Sequence, residues 1–546
     1  VLKKQTLSIV FLLPSLLFAQ SNFQLNREWG LNFEKEKNKI QNDTTPQNAH
    51  DYSSFKPYIY QREHIDKSNP KRKATNIWKR KIKQESLFIV NDTADKFYVT
   101  IDPILNFEYG VDLMDKKHER LYKNTRGFLI RGDIGNKISF ETNLYENQAT
   151  YAQYIDDYIT STNKLFPQSG NYIYNVVPGQ GRSKEFKKNG YDFAMASGYV
   201  SYSPVKQVNI QVGHGKHFVG DGYRSLLLSD NAFNYPYARI TTRIKNIEYT
   251  NLYTSFMNLT NGGVITPPKT ERLFQKKIGS FQMLSINLWK RLQIGLFQGM
   301  IWEAADSTNR QHPNWATFNP IIGTNLIEYG FANKNNILAG STLKLKITNS
   351  ISLYGQYVLD DLGKQKSRYN KGGYQIGFKY FDLFTVKRLN LQLEYNSVRP
   401  YTYAAEVNYQ SYTHYNQALA HPLGANFNEA IGIINYRLKD FFIQLKGNYA
   451  VKGNDTANYN YGGNIFKSDN TFPILQNTDN VSTTQGLKTT IIYEDIHLGY
   501  LLNRSTNLNI IFGISNRTEQ TATQTKQTQF VYFGLRTSLA NFYYDF

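Results

Sequence analysis

The densest group of side chains able to do chemistry runs from Gly213 to Asp230 (GHGKHFVGDGYRSLLLSD), bringing His214, His217, Asp221, Tyr223, Arg224 and Ser225 close together in sequence. Several chemistries could draw on these types. His214 and His217 stand three apart and could share a metal ion, but zinc needs further ligands and none adjoins them. Ser225 with His217 and Asp221 supplies the types for an activated hydroxyl nucleophile, which also requires a base in hydrogen-bond reach and oxyanion donors. The Gly-x-Ser-x-Gly turn that usually presents such a serine is absent here. Gly213-His214-Gly215 and Gly220-Asp221-Gly222 superficially suggest a phosphate cradle, yet that cradle belongs to a strand–turn–helix unit, which this segment does not form. The remaining reading is favoured: a glycine-rich loop whose polar groups bond to the elements around it.

A second group lies between Tyr395 and Glu429. It contains Asn396, Arg399, Tyr401, Tyr403, His414, Tyr415, Asn416, Gln417, His421 and Asn426. It follows one strong strand pattern and precedes another (Ala430 to Tyr436), so it is a loop of roughly thirty residues, a length at which loops are usually functional or plug-forming. Tyr, Asn, Gln and His suit carbohydrate, since sugars stack on aromatic faces and bond to amides. The same residues suit a loop folded inward, and both readings stay open.

The elements that must position these groups show a period of two from Phe97 onward. Leu389, Leu391, Leu393 and Tyr395 alternate with Asn390, Gln392, Glu394 and Asn396. Successive strand side chains point to opposite faces, so this strand has one apolar and one polar face. Phe441 to Val451, Tyr374 to Tyr380 and Leu508 to Ile514 repeat the pattern. Many runs last long enough to cross a bilayer as tilted strands. Lys446 and Glu394 fall on the face that a solid core would reject and a wet lumen accepts. The fold expected is all-β: a transmembrane antiparallel barrel over 96–546, of roughly 16–18 strands allowing about 25 residues per strand and connection.

Composition agrees. Aromatic residues make up 15% of the 546, including 41 Tyr, while apolar residues reach only 40%. Aromatic girdles with a single apolar face account for that balance. Cysteine is absent, which removes disulfides, thiolate metal sites, cysteine nucleophiles and a lipidated cysteine. The net charge of +20 raises nucleic acid as a partner. The start of the chain argues against it: Lys3 and Lys4 precede the apolar run Leu7 to Phe18, with Ala19-Gln20 at a plausible cleavage point, so 1–19 reads as a secretory signal peptide. An exported basic protein meets outer-membrane lipid, lipopolysaccharide and exopolysaccharide rather than DNA.

Residues 20–95 are polar, alternate poorly and are expected to form a periplasmic or plug segment. Within them Ile77 to Val90 reads as a short amphipathic helix. At the other end, Ala540, Phe542, Tyr544 and Phe546 share one face, which suggests a final strand carrying an aromatic membrane-insertion signal at Phe542, Tyr544 and Phe546.

Phe218 to Ser229 (FVGDGYRSLLLS) resembles a segment of the RemB-type gliding-motility proteins of flavobacteria. Leu353 to Asp360, Arg399 to Tyr403, His414 to Phe427 and Asn319-Pro320 after Trp315 are similar too, and the same features resemble Wzi-type capsule assembly proteins. The resemblance spans about Ile77 to Phe546; Ala404-Ala405 departs from a polar pair at this position. It implies a non-catalytic outer-membrane barrel without cofactor that supports gliding motility through surface polysaccharide or motility proteins, or alternatively anchors capsule. A hydrolase or a porin are the remaining rivals. The residues expected to bind ligand are His217, Asp221, Tyr223, Arg224, Arg399, Tyr401, Tyr403, His414, Tyr415, His421 and Asn426.

Overall fold

The two-residue period closes into a wall. The computed structural model describes residues 19–40, 53–61, 76–92, 94–115, 120–161, 175–259, 276–305, 315–331, 335–364, 366–457, 459–470, 480–537 and 540–546. The wall strands are β1 (Phe97–Asp112), β2 (Leu121–Ile134), β3 (Ile138–Thr150), β4 (Gly190–Val205), β5 (Val208–Gly215), β6 (Tyr235–Ile244), β7 (Ile247–Met257), β8 (Lys276–Trp289) and β9 (Leu292–Ala305). They continue as β10 (Asn336–Lys346), β11 (Ile351–Asp361), β12 (Lys371–Phe381), β13 (Leu389–Val398), β14 (Phe427–Leu438), β15 (Phe441–Asn454), β16 (Leu487–Asn503), β17 (Leu508–Gln520) and β18 (Thr525–Thr537). Each pairs antiparallel with its sequence neighbour, and β18 returns to β1 with Phe530 opposite Asp112, closing an 18-strand barrel. Two short strands, Phe88–Asp92 on β1 and Lys184–Phe186 on β4, are appended to it. Closure pairs each wall strand on both sides, as a lipid environment demands, and the two appended strands cover stretches of β1 and β4 that extend past that pairing.

The faces sort as the alternation implies. Leu393 and Tyr395 of β13 are 47% and 39% exposed, while Glu394 and Asn396 between them are 4% and 0%. Apolar side chains therefore line the outside and polar ones the lumen. Two-residue turns such as Lys245-Asn246, Lys290-Arg291 and Lys439-Asp440 join strands at one end, and the long connections that follow β3, β5, β9, β13 and β15 leave from the other. Short turns mark the periplasmic rim and long loops the cell surface.

The lumen is occupied. Helix α1 (Arg27–Asn38), capped by the Asn26 side chain accepting from the Trp29 N–H at 2.8 Å, runs inside the barrel and reaches the rim, where Asn38 bonds the carbonyl of Asn349. Residues 53–61, 216–234, 399–426 and 540–546 join it. Their apolar members, among them Phe55, Val219, Leu226, Leu227, Leu228, Tyr403, Tyr412, Leu419 and Leu423, pack against Phe256, Phe281, Phe297 and Val358 of the wall in one core. Residues 27–38 and 53–61 thus share the lumen with three later segments.

Two expectations need correction. The helix expected over Ile77 to Val90 is α2 (Ile77–Lys83) alone; Phe88-Ile89-Val90, β-branched and aromatic, instead pair with the free lower edge of β1, Phe88 opposite Ile101. The strand expected at Ala540 to Phe546 is not one. The last wall strand ends at Thr537, and residues 540–546 turn into the lumen with Tyr543 and Asp545 buried. Phe542, Tyr544 and Phe546 therefore do not face lipid: Tyr544 packs beside Tyr151 and Phe546 beside Tyr158. Their alternation suits a strand, but Asp545 among them finds its counter-ions inside the barrel. The signal peptide expected at 1–19 lies, except for Ala19, outside the described residues.

Candidate functional site

The first cluster is the inward loop between β5 and β6. Arg224, 1% exposed, stands at its centre, bonding Glu429 of β14 and Asp545 at 3.1 Å each. Glu394 of β13 accepts the backbone N–H of Tyr223 at 2.6 Å and of Arg224 at 2.9 Å. The Tyr223 hydroxyl donates to Asp545 at 2.7 Å, and Lys446 of β15 pairs with the same carboxylate at 3.0 Å. Burial alone would raise the Asp545 carboxyl; Arg224 and Lys446 outweigh it and hold it below the ordinary carboxylate range. Asp221 follows the same logic. Burial opposes its charge, but Lys344, which bonds it at 2.8 Å, together with Lys56 and Lys379 keeps it ionised.

This geometry does not assemble the hydrolase. Ser225 donates to the carbonyl of Val219 at 2.5 Å and accepts from the N–H of Leu227. His217 sits among Tyr235, Tyr237 and Phe55, with burial driving its pKa well down. Asp221 is engaged by Lys344 and Ser54. The three sets of partners share no member of the triad. His214 and His217 are likewise separated, since the Nδ1 of His214 bonds the Ala196 carbonyl and its ring lies against Phe233.

The second cluster, 399–426, is also folded inward and carries a short hairpin of Thr413–His414 with Gln417–Ala418. His421 bonds Glu429 at 2.6 Å through Nε2 and accepts from the Leu423 N–H through Nδ1. Burial lowers its pKa, which Glu429 resists. His414 accepts from the Met257 N–H and bonds the carbonyl of Asn234; burial takes its pKa down to about 3. The Tyr403 hydroxyl donates to the Leu226 carbonyl and the Tyr412 hydroxyl to that of Leu227, tying this loop to the first. Tyr401 donates to Asn460, and Asn426 holds Gly453, Gln485 and the Thr484 N–H. Positive φ at Tyr401, Tyr403, Tyr415 and Asn426 marks a backbone held by these bonds.

Of the expected ligand residues, only Arg399 and Tyr415 keep partial exposure. Arg399 bonds the carbonyl of Asn370, and Tyr415 packs on Phe233. The structure therefore joins the two clusters into one buried lattice. The accessible aromatic groups are elsewhere on the same rim: Tyr369, 47% exposed with Arg368 against its ring at 4.7 Å, and Tyr459, 42% exposed beside Tyr461. Arg368 reaches Asn470 at 3.0 Å and Lys371 pairs with Asp469 at 2.7 Å, linking the two loops. Nothing in the sequence separates these tyrosines from 39 others except exposure, which the pattern does not carry.

Beneath the lattice one side of the lumen remains open as a cavity of about 410 Å³ lined by Asn106, Asn124, Asn143, Tyr145, Asp495 and Arg536 among others. Among the described residues no group of three or more acidic or histidine side chains could hold a metal.

A closed 18-strand wall with lipid-facing aromatics and a polypeptide-filled lumen defines a plugged outer-membrane β-barrel. The family model for capsule assembly protein Wzi matches residues 101–529, and the chain belongs to that family. The solved structure of Wzi from Escherichia coli, described as an outer-membrane protein involved in group 1 capsule assembly and a carbohydrate-binding β-barrel, superposes with a TM-score of 0.52 at 12% identity, covering 95% of this chain and 100% of that one. OccAB2 of Acinetobacter baumannii (TM-score 0.41, 10% identity, 80% and 96% covered) and OprD of Pseudomonas aeruginosa (0.40, 10%, 84% and 96%) are more distant barrels. No curated protein sequence matches the chain significantly.

Proposed function

We propose that this barrel holds surface polysaccharide at the outer membrane during capsule assembly and performs no chemistry on it. The observation that carries the reading is the buried lattice around Arg224, which commits the candidate reactive side chains to other partners and occupies the surface end of the lumen, leaving the cell-surface rim as the face for a glycan. Family membership supports the capsule role over gliding motility, for which neither the fold nor the comparisons add support. On that rim Tyr369 and Tyr459 offer ring faces beside Arg368, Asn470 and Asn370, the combination of stacking surface and amide or guanidinium donors that sugars require.

Deleting the gene is expected to release polysaccharide from the cell surface while colony spreading stays normal. Purified protein in detergent is expected to retain an acidic capsular glycan, and Tyr369→Ala with Tyr459→Ala to weaken retention about tenfold, roughly the 1.4 kcal/mol of one lost stacking contact. Unchanged polysaccharide on the deleted strain, with spreading abolished, would return the role to motility.

A further inference from the structure

The surface connection between β9 and β10 takes a different course from the inward loops described above. Its described part, 315–331, comes back down the outside of the barrel. Outward side chains of β7, β8 and β9 receive it: Tyr253 donates to the Phe318 carbonyl at 3.0 Å, Gln282 to the Asn319 carbonyl at 3.3 Å and Tyr249 to the Pro320 carbonyl. That these face outward follows from their neighbours, since Leu252, Phe281 and Phe297 on the alternate positions belong to the lumenal core. Tyr249 is only two positions from the periplasmic end of β7 at Ile247, so the tip passes well down the wall.

The tip is built for a place without water. Pro320 has no N–H to satisfy. Ile321 donates to Asn319 Oδ1 at 3.0 Å, Ile322 to the Tyr249 hydroxyl at 2.9 Å and Gly323 to Gln298 Oε1 at 2.9 Å. The Thr324 hydroxyl caps the Ile321 carbonyl at 2.7 Å. A wall that meets lipid directly shows Leu296 and Leu343 at 46% and 45% exposure; here Ser280, Gln282 and Gln298 are polar, point outward and are covered to 0–2%. What covers them is apolar on its far side: Phe318, Ile321 and Ile327 are 40%, 61% and 87% exposed. From the tip the chain climbs through a short helix, α3 (Thr324–Tyr329), to Tyr329, which packs edge-on against Trp302 near the top of β9. An aromatic pair there suits the level of the headgroups.

We propose that segment 315–331 is a re-entrant strap embedded in the bilayer, its backbone bonded to a polar stripe on the outer wall and its Phe318, Ile321 and Ile327 side chains in contact with lipid acyl chains. Irregular backbone survives at membrane depth only where protein satisfies it, and the stripe of Tyr249, Tyr253, Gln282 and Gln298 supplies those bonds. The exposed apolar face continues the lipid-facing surface of Leu296 and Leu343 on the β10 side.

The chain has no cysteine, so single-cysteine variants report position directly. Ile321→Cys and Ile327→Cys would be treated with a membrane-impermeant maleimide in cells and in proteoliposomes of the purified full chain, beside Leu296→Cys as a lipid-facing standard and Ala522→Cys in the surface turn as an exposed one. Both strap variants are expected to react at the Leu296→Cys rate, about tenfold or more below Ala522→Cys, because water is excluded from the hydrocarbon region. A bimane on either strap cysteine is expected to be quenched by lipids brominated on the acyl chains. Reaction at the Ala522→Cys rate in proteoliposomes overturns the proposal. Protection in cells together with reaction in proteoliposomes also overturns it, and assigns the apolar face to a protein partner.

Discussion

The two sides of the lumen are built on one strand pattern and used differently. Along the upper part of β11 to β15 inward polar groups meet the plug: Gln356 bonds Val219, Gln375 bonds the Arg224 carbonyl, and Asn448 bonds Glu429 and the Asp545 carbonyl. Along β1 to β4 the inward residues Asn106, Thr125, Asn143 and Tyr145 border the cavity. The first side is a lattice of charges removed from water, where losing one member strands the others. The second borders an open cavity, with local pairs such as Asn143–Ser197 and Lys123–Glu108 made between neighbouring wall strands. Buried pairs are costly to break and exposed polar groups are not, so the plug and not the polar wall sets the integrity of the lumen.

The largest effect that separates the two sides is expected from Arg224→Ala. It leaves Glu429 and Asp545 without their guanidinium, a loss of roughly 3–5 kcal/mol for a broken buried pair. The wall should survive while the plug loosens, read as protease cleavage within 216–234 in reconstituted protein. Asp545→Asn keeps the shape and part of the hydrogen bonding, and about 1–3 kcal/mol is expected from the groups left unsatisfied, read by urea-dependent protection of the same cleavage sites.

Acid should loosen the lattice. The Asp545 and Asp221 carboxyls are held below their ordinary value by Arg224, Lys446 and Lys344 against the opposing effect of burial. A depressed carboxylate stabilises the folded form fully above its unfolded pKa, near 4, and that contribution disappears as pH falls through the folded value. Protonating the buried neutral His217 and His414 also opposes the folded plug below the ordinary imidazole range, so plug protection is expected to begin falling below about pH 6.5 and to fall further below about 4. Protection that stays flat down to about pH 4 would mean that these histidines do not titrate with the plug. Smallest of all, Asn143→Ala removes a bond to Ser197 at 2.7 Å on the cavity side, and about 0.5–1.5 kcal/mol with no change in plug protection is expected.

Much of the wall could be read directly from residues. The strict alternation of Leu389 to Asn396 identified β13 and both its faces, and Lys446 and Glu394 betrayed a polar interior because no dry core would accept them. The plug was readable only in outline. Glycines and clustered polar types in 213–230 indicated an inward loop, but the partners of Arg224 lie some 200 and 320 positions away in the chain, beyond any local pattern. The 540–546 segment misled for a physical reason: alternating aromatics bury one face equally well against lipid or against a plug. The strap was invisible because Gln282 and Gln298 look like lumenal residues by type, and only their register against Phe281 and Phe297 places them outside. The candidate ligand residues were read by chemistry, and chemistry does not distinguish a tyrosine offered to a glycan from one bonded to a neighbouring carbonyl.

Planar-bilayer conductance of the purified protein, compared with a variant in which 216–234 is replaced by a short Gly-Ser turn, addresses the filled lumen most directly. Wild-type protein should pass little current and the replacement should conduct as a wide pore. Equal, large currents from both would mean that ions already cross the native barrel freely, and that the lattice around Arg224 does not close it.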